Sequence, residues 1–150
     1  RIKKAIQKGT TIEQDTQALK WCKELGIKFK ASFIAGLPGE DRQSLEATRR
    51  WILEERPDRV DINTYIPFPG TPITTAMAEG SGMYDIQLAM DNIDVEMRSE
   101  GEFGLPETYW YKGPRSEGIA LVRTSALTAR EIQDFRNNLV AEIIAAGIPY

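Results

Sequence analysis

Residues 28–40 decide the fold of this chain and read Lys-Phe-Lys-Ala-Ser-Phe-Ile-Ala-Gly-Leu-Pro-Gly-Glu. As far as Gly36, the side chains fall on two alternating faces, which is typical of a β-strand with one face against a core. The predicted core face consists of Phe29, Ala31, Phe33 and Ala35. The opposite face consists of Lys30, Ser32, Ile34 and Gly36. Leu-Pro-Gly follows directly and favours a turn, so the strand is expected to end there.

A helix is predicted immediately before this strand. Thr10 and Thr11 are each followed three residues later by a side chain suited to a capping box, Glu13 and Gln14 respectively. Apolar residues then recur at helical spacing, and Gly26 is expected to close the helix. The strand at residue 28 therefore follows a helix directly.

A second helix is predicted after the strand. Asp41 can accept hydrogen bonds from the first free amides of this helix. The helix is expected to turn Ala47, Trp51 and Ile52 towards the core and to end before Pro57, because the residue preceding a proline is disfavoured in helical geometry.

Residues 60–66 form the second predicted strand, and its two faces again differ in chemistry. Its core face consists of Val60, Ile62 and Ile66. Its other face consists of Asp61, Asn63 and Tyr65. The order helix, strand, helix, strand predicts a parallel sheet built from βα units.

The polar face of these strands separates the chain from an ordinary buried parallel sheet, whose strands are apolar on both sides. We therefore expect one face to line a working cavity and the other to be covered by helices. The expected lining residues are Lys30, Ser32, Ile34, Asp61, Asn63 and Tyr65. The predicted fold class is α/β, with half of a partial (β/α) barrel over residues 1–72.

Residues 73–150 are predicted to form a small α+β extension. Residues 67–72 read Pro-Phe-Pro-Gly-Thr-Pro and must be a loop, because proline removes backbone donors and fixes φ. An amphipathic helix is predicted from the spacing of Ile86, Met90, Ile93 and Met97. Two strands at 107–112 and 119–124 are predicted to form a hairpin. A final helix is capped by Thr128 with Glu131, and its buried stripe is Phe135, Leu139 and Ile143.

Composition narrows the chemistry that the chain can perform. Its 150 residues are 41% hydrophobic and 27% charged, with a net charge of −3, so neither a nucleic-acid partner nor an anionic membrane is indicated. Histidine is absent, which removes a Ser–His–Asp triad and most zinc sites. Cys22 is the sole cysteine, which fits a reducing cytoplasm. No catalytic or metal-binding residue is assigned, and no apolar run approaches the ~20 residues of a membrane span.

The run from Phe33 to Glu40, with Lys-Gly-Thr at 8–10 and the proline-rich run at 67–72, resembles the radical S-adenosylmethionine (SAM) superfamily. The resemblance covers roughly the first half of the chain. It implies a six-stranded partial barrel that holds SAM at the carboxyl ends of its strands. The strand at residue 28 corresponds to the fifth of the six, and the strand at residue 60 to the last.

The same resemblance implies roles for individual residues. Those expected to contact the adenosyl group of SAM are Ile34, Gly36 and the main chain of Tyr65, Ile66 and Pro67. Those expected to face the substrate are Lys30, Ser32, Asp61 and Asn63, with pairing between Lys30 and Asp61 and between Ser32 and Asn63 as the plainer interpretation. Two departures are noted: Ser32 stands where the family often has glycine, and Glu40 lies one residue later than the family's glutamate. We interpret Glu40 as a helix-start residue rather than a catalytic group.

The family's 4Fe–4S cluster needs three cysteines in a Cys-x₃-Cys-x₂-Cys pattern, and this chain has only Cys22. Together with the missing initiator Met, this predicts a piece of a longer radical SAM enzyme, inactive alone, whose partners are the rest of that protein and a small-molecule substrate. Leu-Pro-Gly-Glu, the proline-rich run and the helix start at residues 127–131 resemble most closely the branch that carries a cobalamin-binding domain. Cobalamin is therefore a candidate cofactor of the parent.

Two other functions fit parts of the sequence. The first is a phosphate-binding barrel enzyme, in which the turn from Gly36 to Gly39 and the next helix N-terminus hold an anion. The second is a non-catalytic interaction module that uses the hairpin and the last helix as its surface.

Overall fold

The computed structural model of this chain describes residues 1–66, 85–90, 93–99, 120 and 122–150. These residues contain four helices and five strands in the order of an α/β protein, as predicted. The helices are α1 (Ile2–Ala5), α2 (Ile12–Glu24), α3 (Arg42–Glu55) and α4 (Ala129–Ala145). The strands are β1 (Lys30–Ala35), β2 (Arg59–Thr64), β3 (Asp85–Met90), β4 (Ile93–Ser99) and β5 (Val122–Thr124). Within this part of the chain, no helix combines the length and the apolar character that crossing a membrane requires.

β1 and β2 pair in parallel, and α3 forms the connection between them. Parallel neighbours need such a crossover because both strands must start at the same edge. The register sets Lys30 opposite Arg59, Ser32 opposite Asp61 and Ile34 opposite Asn63. The predicted parallel pairing is therefore confirmed, whereas closure of the sheet into half a barrel stays a prediction.

One face of this two-stranded sheet is buried by α3 and α4. Two apolar clusters lie between them and the sheet. The first contains Ala35, Leu45, Ala120, Leu127, Ala129 and Ile132. The second contains Ile52, Val60, Ile62, Leu139, Ile143 and Ile148. The predicted core face is thus confirmed for Ala31, Ala35, Val60 and Ile62, whereas Phe29 and Ile66 lie outside the strands and are half-buried. Gly36, predicted on the opposite face, is buried. The terminal helix shares its core with the first half of the chain.

The inward face of α3 differs in one position from the prediction. Ala47 is exposed, while Leu45 and Ile52 are buried and Trp51 is half-buried. Leu45 and Ile52 are seven residues apart, which places them two turns apart on the same side of the helix.

Three helices begin with a capping box. The Thr11 side chain accepts from the Gln14 amide, and the Thr128 side chain accepts from the Glu131 amide, both as predicted. Asp41 caps α3 as predicted, and Ser44 completes its box. Each cap satisfies amides that would otherwise lack a partner, with a contribution of about 1 kcal/mol.

The extension contains an antiparallel sheet in the order β3-β4-β5, which corrects the helix predicted over residues 86–97. Ile86, Met90, Ile93 and Met97 fit helical spacing, but the large apolar residues of the same segment also alternate: Ile, Leu, Met at 86, 88, 90 and Ile, Val, Met at 93, 95, 97. Period-two alternation on both sides of Asp-Asn favours a hairpin. β5 falls within the predicted strand 119–124, whereas its predicted partner 107–112 and the loop 67–72 lie outside the described residues.

The C-terminus covers the edge of β2 that faces away from β1. The Val60 amide donates to the Pro149 carbonyl at 2.9 Å. The Ile62 carbonyl accepts from the Tyr150 hydroxyl at 2.9 Å and from Arg136 Nε at 3.2 Å. An uncovered strand edge invites pairing with another chain, so these contacts protect the sheet on this side.

Replacing Tyr150 with phenylalanine is expected to lower the free energy of unfolding by about 2 kcal/mol, because the hydroxyl loses the bond it donates to the Ile62 carbonyl and the 2.8 Å bond it accepts from Arg136. Urea denaturation followed by circular dichroism measures the change. Asn138→Ala, on the exposed side of α4, is the control and is expected to change stability by less than about 0.5 kcal/mol. Equal stability of Tyr150→Phe and wild type would show that the hydroxyl does not hold the C-terminus.

Candidate functional site

The candidate site lies where β1 and β2 end. Because the strands are parallel, their carboxyl ends meet at one edge of the sheet, the usual position of sites in such folds. The Tyr65 amide donates to the Ala35 carbonyl at 2.7 Å, so the two strands are still joined at this edge. The structure thereby sets Tyr65 beside Ala35, with Ile34 and Gly36 on either side of Ala35 in the chain and Ile66 directly after Tyr65, while Pro67 lies outside the described residues.

Ile34 supplies the apolar surface of the site. Its side chain is 46% exposed on the open face of the sheet, opposite Asn63 and directly before the turn. A large aliphatic group exposed beside a polar strand end provides a surface on which a flat, weakly polar ring can pack. Ile34 therefore fits the adenine-packing role that the sequence resemblance implies.

Position 36 requires a glycine for two reasons, the conformation of its backbone and the close packing of the core around it. Its φ is +89°, a value that side chains resist. A Cβ at this position would lie 3.3 Å from Ile132 Cδ1 and 3.4 Å from Val122 Cγ2. The space that glycine leaves is therefore filled by the core, and contact between Gly36 and an adenosyl group stays a prediction.

Glu40 holds the turn from within. Its side chain folds back, and Oε2 accepts hydrogen bonds from the Gly36 amide at 2.5 Å and the Leu37 amide at 3.3 Å. The residue is only 4% exposed. The interpretation of Glu40 as a helix-start residue is therefore wrong, because Asp41 caps α3 and the Glu40 carboxyl points into the turn. The sequence signal is a carboxylate four residues after a glycine, close enough to reach its amide.

Burial raises the pKa of Glu40 to about 7. The amides of Gly36 and Leu37 oppose this rise because they stabilise the charged form, and the neighbouring charge of Asp41 adds to it. A carboxyl group that titrates near neutrality inside the turn makes the local structure sensitive to pH.

The predicted substrate-facing residues lie along the open face of the sheet. Lys30 and Asp61 form the predicted ion pair, and Arg59 Nε lies 3.7 Å from the same carboxylate. Ser32 and Asn63 are exposed nearer the carboxyl ends. The register sets Ser32 opposite Asp61, so the predicted pair of Ser32 with Asn63 is diagonal rather than direct. Charge is thus concentrated at the amino ends of the strands, and uncharged groups lie beside the turn.

Iron–sulfur ligation does not fit the residues that the structure describes. Cys22 is a free thiol, half-buried on α2. Across the described ranges, no group of three or more side chains of the metal-binding types comes together. A 4Fe–4S cluster needs several thiolates, so this part of the chain cannot ligate one.

Comparison with known proteins finds several partial relatives. An anaerobic magnesium-protoporphyrin IX monomethyl ester cyclase of Cereibacter sphaeroides is 31% identical over 80 residues, which are 53% of this chain and 13% of the relative. An uncharacterized methyltransferase of Pyrococcus horikoshii is 37% identical over 71 residues, or 47% of this chain and 16% of the relative. A putative methylthiotransferase of Methanocaldococcus jannaschii is 32% identical over 73 residues, or 49% and 16%.

The cyclase and the methylthiotransferase are radical SAM enzymes, which confirms the resemblance at the level of the superfamily. Each of the three alignments spans less than a fifth of the relative's length. No family model matches the chain, and no solved structure matches it significantly.

Proposed function

We propose that this chain, which is similar to radical SAM enzymes over about half of its length, is the last part of such an enzyme's catalytic domain. In this proposal β1 and β2 are the last two strands of a partial (β/α) barrel whose C-terminal half is residues 1–72, and residues 73–150 are the C-terminal extension. Ile34 packs against the adenine of SAM, and the main chain at Tyr65 and Ile66 borders the same pocket.

The observation that carries the proposal is the meeting of two strand ends at one edge. The parallel pairing of β1 and β2 sets the exposed Ile34 side chain beside Asn63 and directly before the glycine turn. The open face below this edge is polar, with Lys30, Ser32 and Asp61 along it. Such a face suits a substrate that lies inside the barrel, with its reacting carbon near the carboxyl ends of the strands, where SAM would bind.

The remaining parts of the enzyme belong to the rest of the parent protein. We propose that it supplies the three cysteines of the 4Fe–4S cluster, which cleaves SAM reductively when bound. This chain's own residues would hold and orient the adenosyl group and the substrate, and the chain alone would be inactive. A cobalamin-binding domain in the parent and a reducing cytoplasm as its location are part of the same proposal.

The phosphate-binding alternative is disfavoured by the turn itself. The amides of Gly36 and Leu37, which an anion would need, both donate to the buried Glu40 carboxyl. Because the Glu40 side chain already occupies both amides, they are not available to an anion. The interaction-module alternative would be favoured if the parent protein had no cluster cysteines.

Replacing Ile34 with alanine in the full-length parent, reconstituted with its cluster, is expected to weaken SAM binding about fivefold to thirtyfold. The reason is the loss of roughly 1 to 2 kcal/mol of apolar contact with the adenine ring. Isothermal titration calorimetry with SAM measures the affinity. The wild-type parent is expected to be brown with cluster absorbance, and the 150-residue chain alone to be colourless.

Ile144→Ala is the matched control, because Ile144 is also exposed, at 61%, but lies near the far end of α4. It is expected to bind SAM like wild type. Unchanged affinity in Ile34→Ala would remove Ile34 from the pocket, and a parent that binds neither a cluster nor SAM would overturn the proposed function.

A further inference from the structure

Thr124, the last residue of β5, joins the extension to the turn formed by residues 36–40. It is 2% exposed, and its hydroxyl donates to the Glu40 carbonyl at 2.8 Å. The same oxygen accepts from the Leu127 amide at 3.0 Å and from the Ala126 amide at 3.2 Å. A hydroxyl has one donor and two acceptor positions, so every hydrogen-bonding position of Thr124 is used here.

Two further contacts join the same regions. Val122 and Ile132 pack against the side of Gly36 where a side chain would stand. At the surface, Arg42 at the start of α3 forms a 2.8 Å ion pair with Glu131 at the start of α4. The turn is therefore held from below by apolar contact and at its end by a buried hydrogen bond, both supplied by residues 122–132.

We infer that Thr124 is a positioning residue for the adenosyl pocket: through the Glu40 carbonyl it sets the turn from Gly36 to Glu40 in the shape that presents Ile34 to SAM. That the ligand is SAM rests on the proposed function. The coupling of β5 to the turn does not depend on it. Residues 122–132 of the C-terminal extension thereby act on the SAM site through the turn.

The test uses two variants with opposite losses. Thr124→Val keeps the shape of the side chain and removes the hydroxyl, whereas Thr124→Ser keeps the hydroxyl and removes the methyl group. Hydrogen exchange of the Gly36 and Leu37 amides, followed by NMR in the 150-residue chain, is expected to be about tenfold faster in Thr124→Val and close to wild type in Thr124→Ser. A tenfold change corresponds to about 1.4 kcal/mol, which is within the range for one buried hydrogen bond.

Exchange of the α2 amides serves as the internal control for general loosening and is expected to stay unchanged. If Thr124→Val does not fold, Thr124→Cys, whose thiol is a weak donor, replaces it and is expected to show a smaller acceleration in the same two amides. Wild-type exchange at Gly36 and Leu37 in a folded variant without the hydroxyl, or equal acceleration in α2, would overturn the coupling.

The second arm measures SAM affinity in the full-length parent. Thr124→Val is expected to bind about tenfold more weakly and Thr124→Ser within about threefold of wild type. Equal SAM affinity in wild type and Thr124→Val would overturn the positioning role while leaving the proposed function intact. Absence of SAM binding in the wild-type parent would overturn the proposed function, and the exchange experiment would still decide the coupling.

Discussion

Replacing Gly36 with valine is expected to lower the free energy of unfolding by roughly 3 to 5 kcal/mol, which is a large share of the ~5 to 15 kcal/mol that is typical of a single domain. Two causes add. A β-branched side chain is strained at a φ of +89°, and even a Cβ alone would lie 3.3 Å from Ile132 Cδ1. Valine adds two methyl groups beyond that point, towards the Ile132 and Val122 side chains, which must then shift further than they would for alanine. Urea denaturation followed by circular dichroism measures the loss.

A pair of alanine variants separates the two causes. Gly26 also has a positive φ, +68°, but a Cβ there would meet nothing within 4 Å. Gly26→Ala therefore reports backbone strain alone, about 1 kcal/mol. Gly36→Ala is expected to cost about 1 kcal/mol more than Gly26→Ala, because Ile132 and Val122 must shift. Equal costs for the two alanine variants would mean that the core does not press on Gly36.

The size of this effect changes how Gly36 variants should be interpreted. Loss of SAM binding in Gly36→Val would be explained by the loss of stability and by distortion of the turn, and so could not report a contact with the adenosyl group. Ile34 is the better probe, because its side chain is exposed and its truncation leaves the core unchanged.

The parts of the fold that follow local rules could be predicted from the sequence. Alternation predicted strands over residues 28–36 and 60–66, and the structure has them at Lys30–Ala35 and Arg59–Thr64 with the predicted core face. The capping boxes at Thr11 and Thr128 marked two helix starts. Parallel pairing followed from the helix between the strands. Each of these depends on residues that are close in sequence, where period and turn chemistry act directly.

The parts that depend on distant contacts could not be predicted. Nothing near residue 124 in the sequence indicates that its hydroxyl meets the Glu40 carbonyl 84 residues earlier. The same holds for the C-terminal residues that cover the edge of β2. The segment 85–99 shows a different limit: its apolar residues satisfy both helical and strand spacing, and pairing between β4 and β5 adds support that only the strand form receives. In that segment strand pairing overrode the helical spacing.

Raising the pH from about 4.5 to about 7 is expected to destabilise the chain by up to about 3 kcal/mol through Glu40 alone. The folded state holds a proton on Glu40 up to a pKa of about 7, whereas the unfolded chain releases it at the ordinary value of 4.5. In this interval the folded state binds more protons than the unfolded state, so stability falls by about 1.4 kcal/mol for each unit of pH.

Other carboxylates act at lower pH and with the opposite sign. Hydrogen bonds from the helix-start amides lower the pKa of Asp41 and of Glu131, so their contribution is present above about 4.5 and is lost on further acidification. Stability is therefore expected to pass through a maximum near pH 5. Urea denaturation at intervals between pH 3 and pH 8 measures the profile.

Glu40→Gln isolates the contribution of the buried carboxyl group. The amide side chain keeps an oxygen for the Gly36 N–H and cannot ionise, so the decline between pH 4.5 and 7 is expected to disappear. Glu40→Ala leaves the Gly36 and Leu37 amides without a partner and is expected to cost about 1 to 3 kcal/mol at low pH, where the wild-type carboxyl is neutral. Glu54→Gln, on the exposed side of α3, is the control and is expected to keep the wild-type profile. If stability still fell between pH 4.5 and 7 in Glu40→Gln, the pH dependence would belong to another group, because the turn from Gly36 to residue 40 would then contain no side chain that titrates.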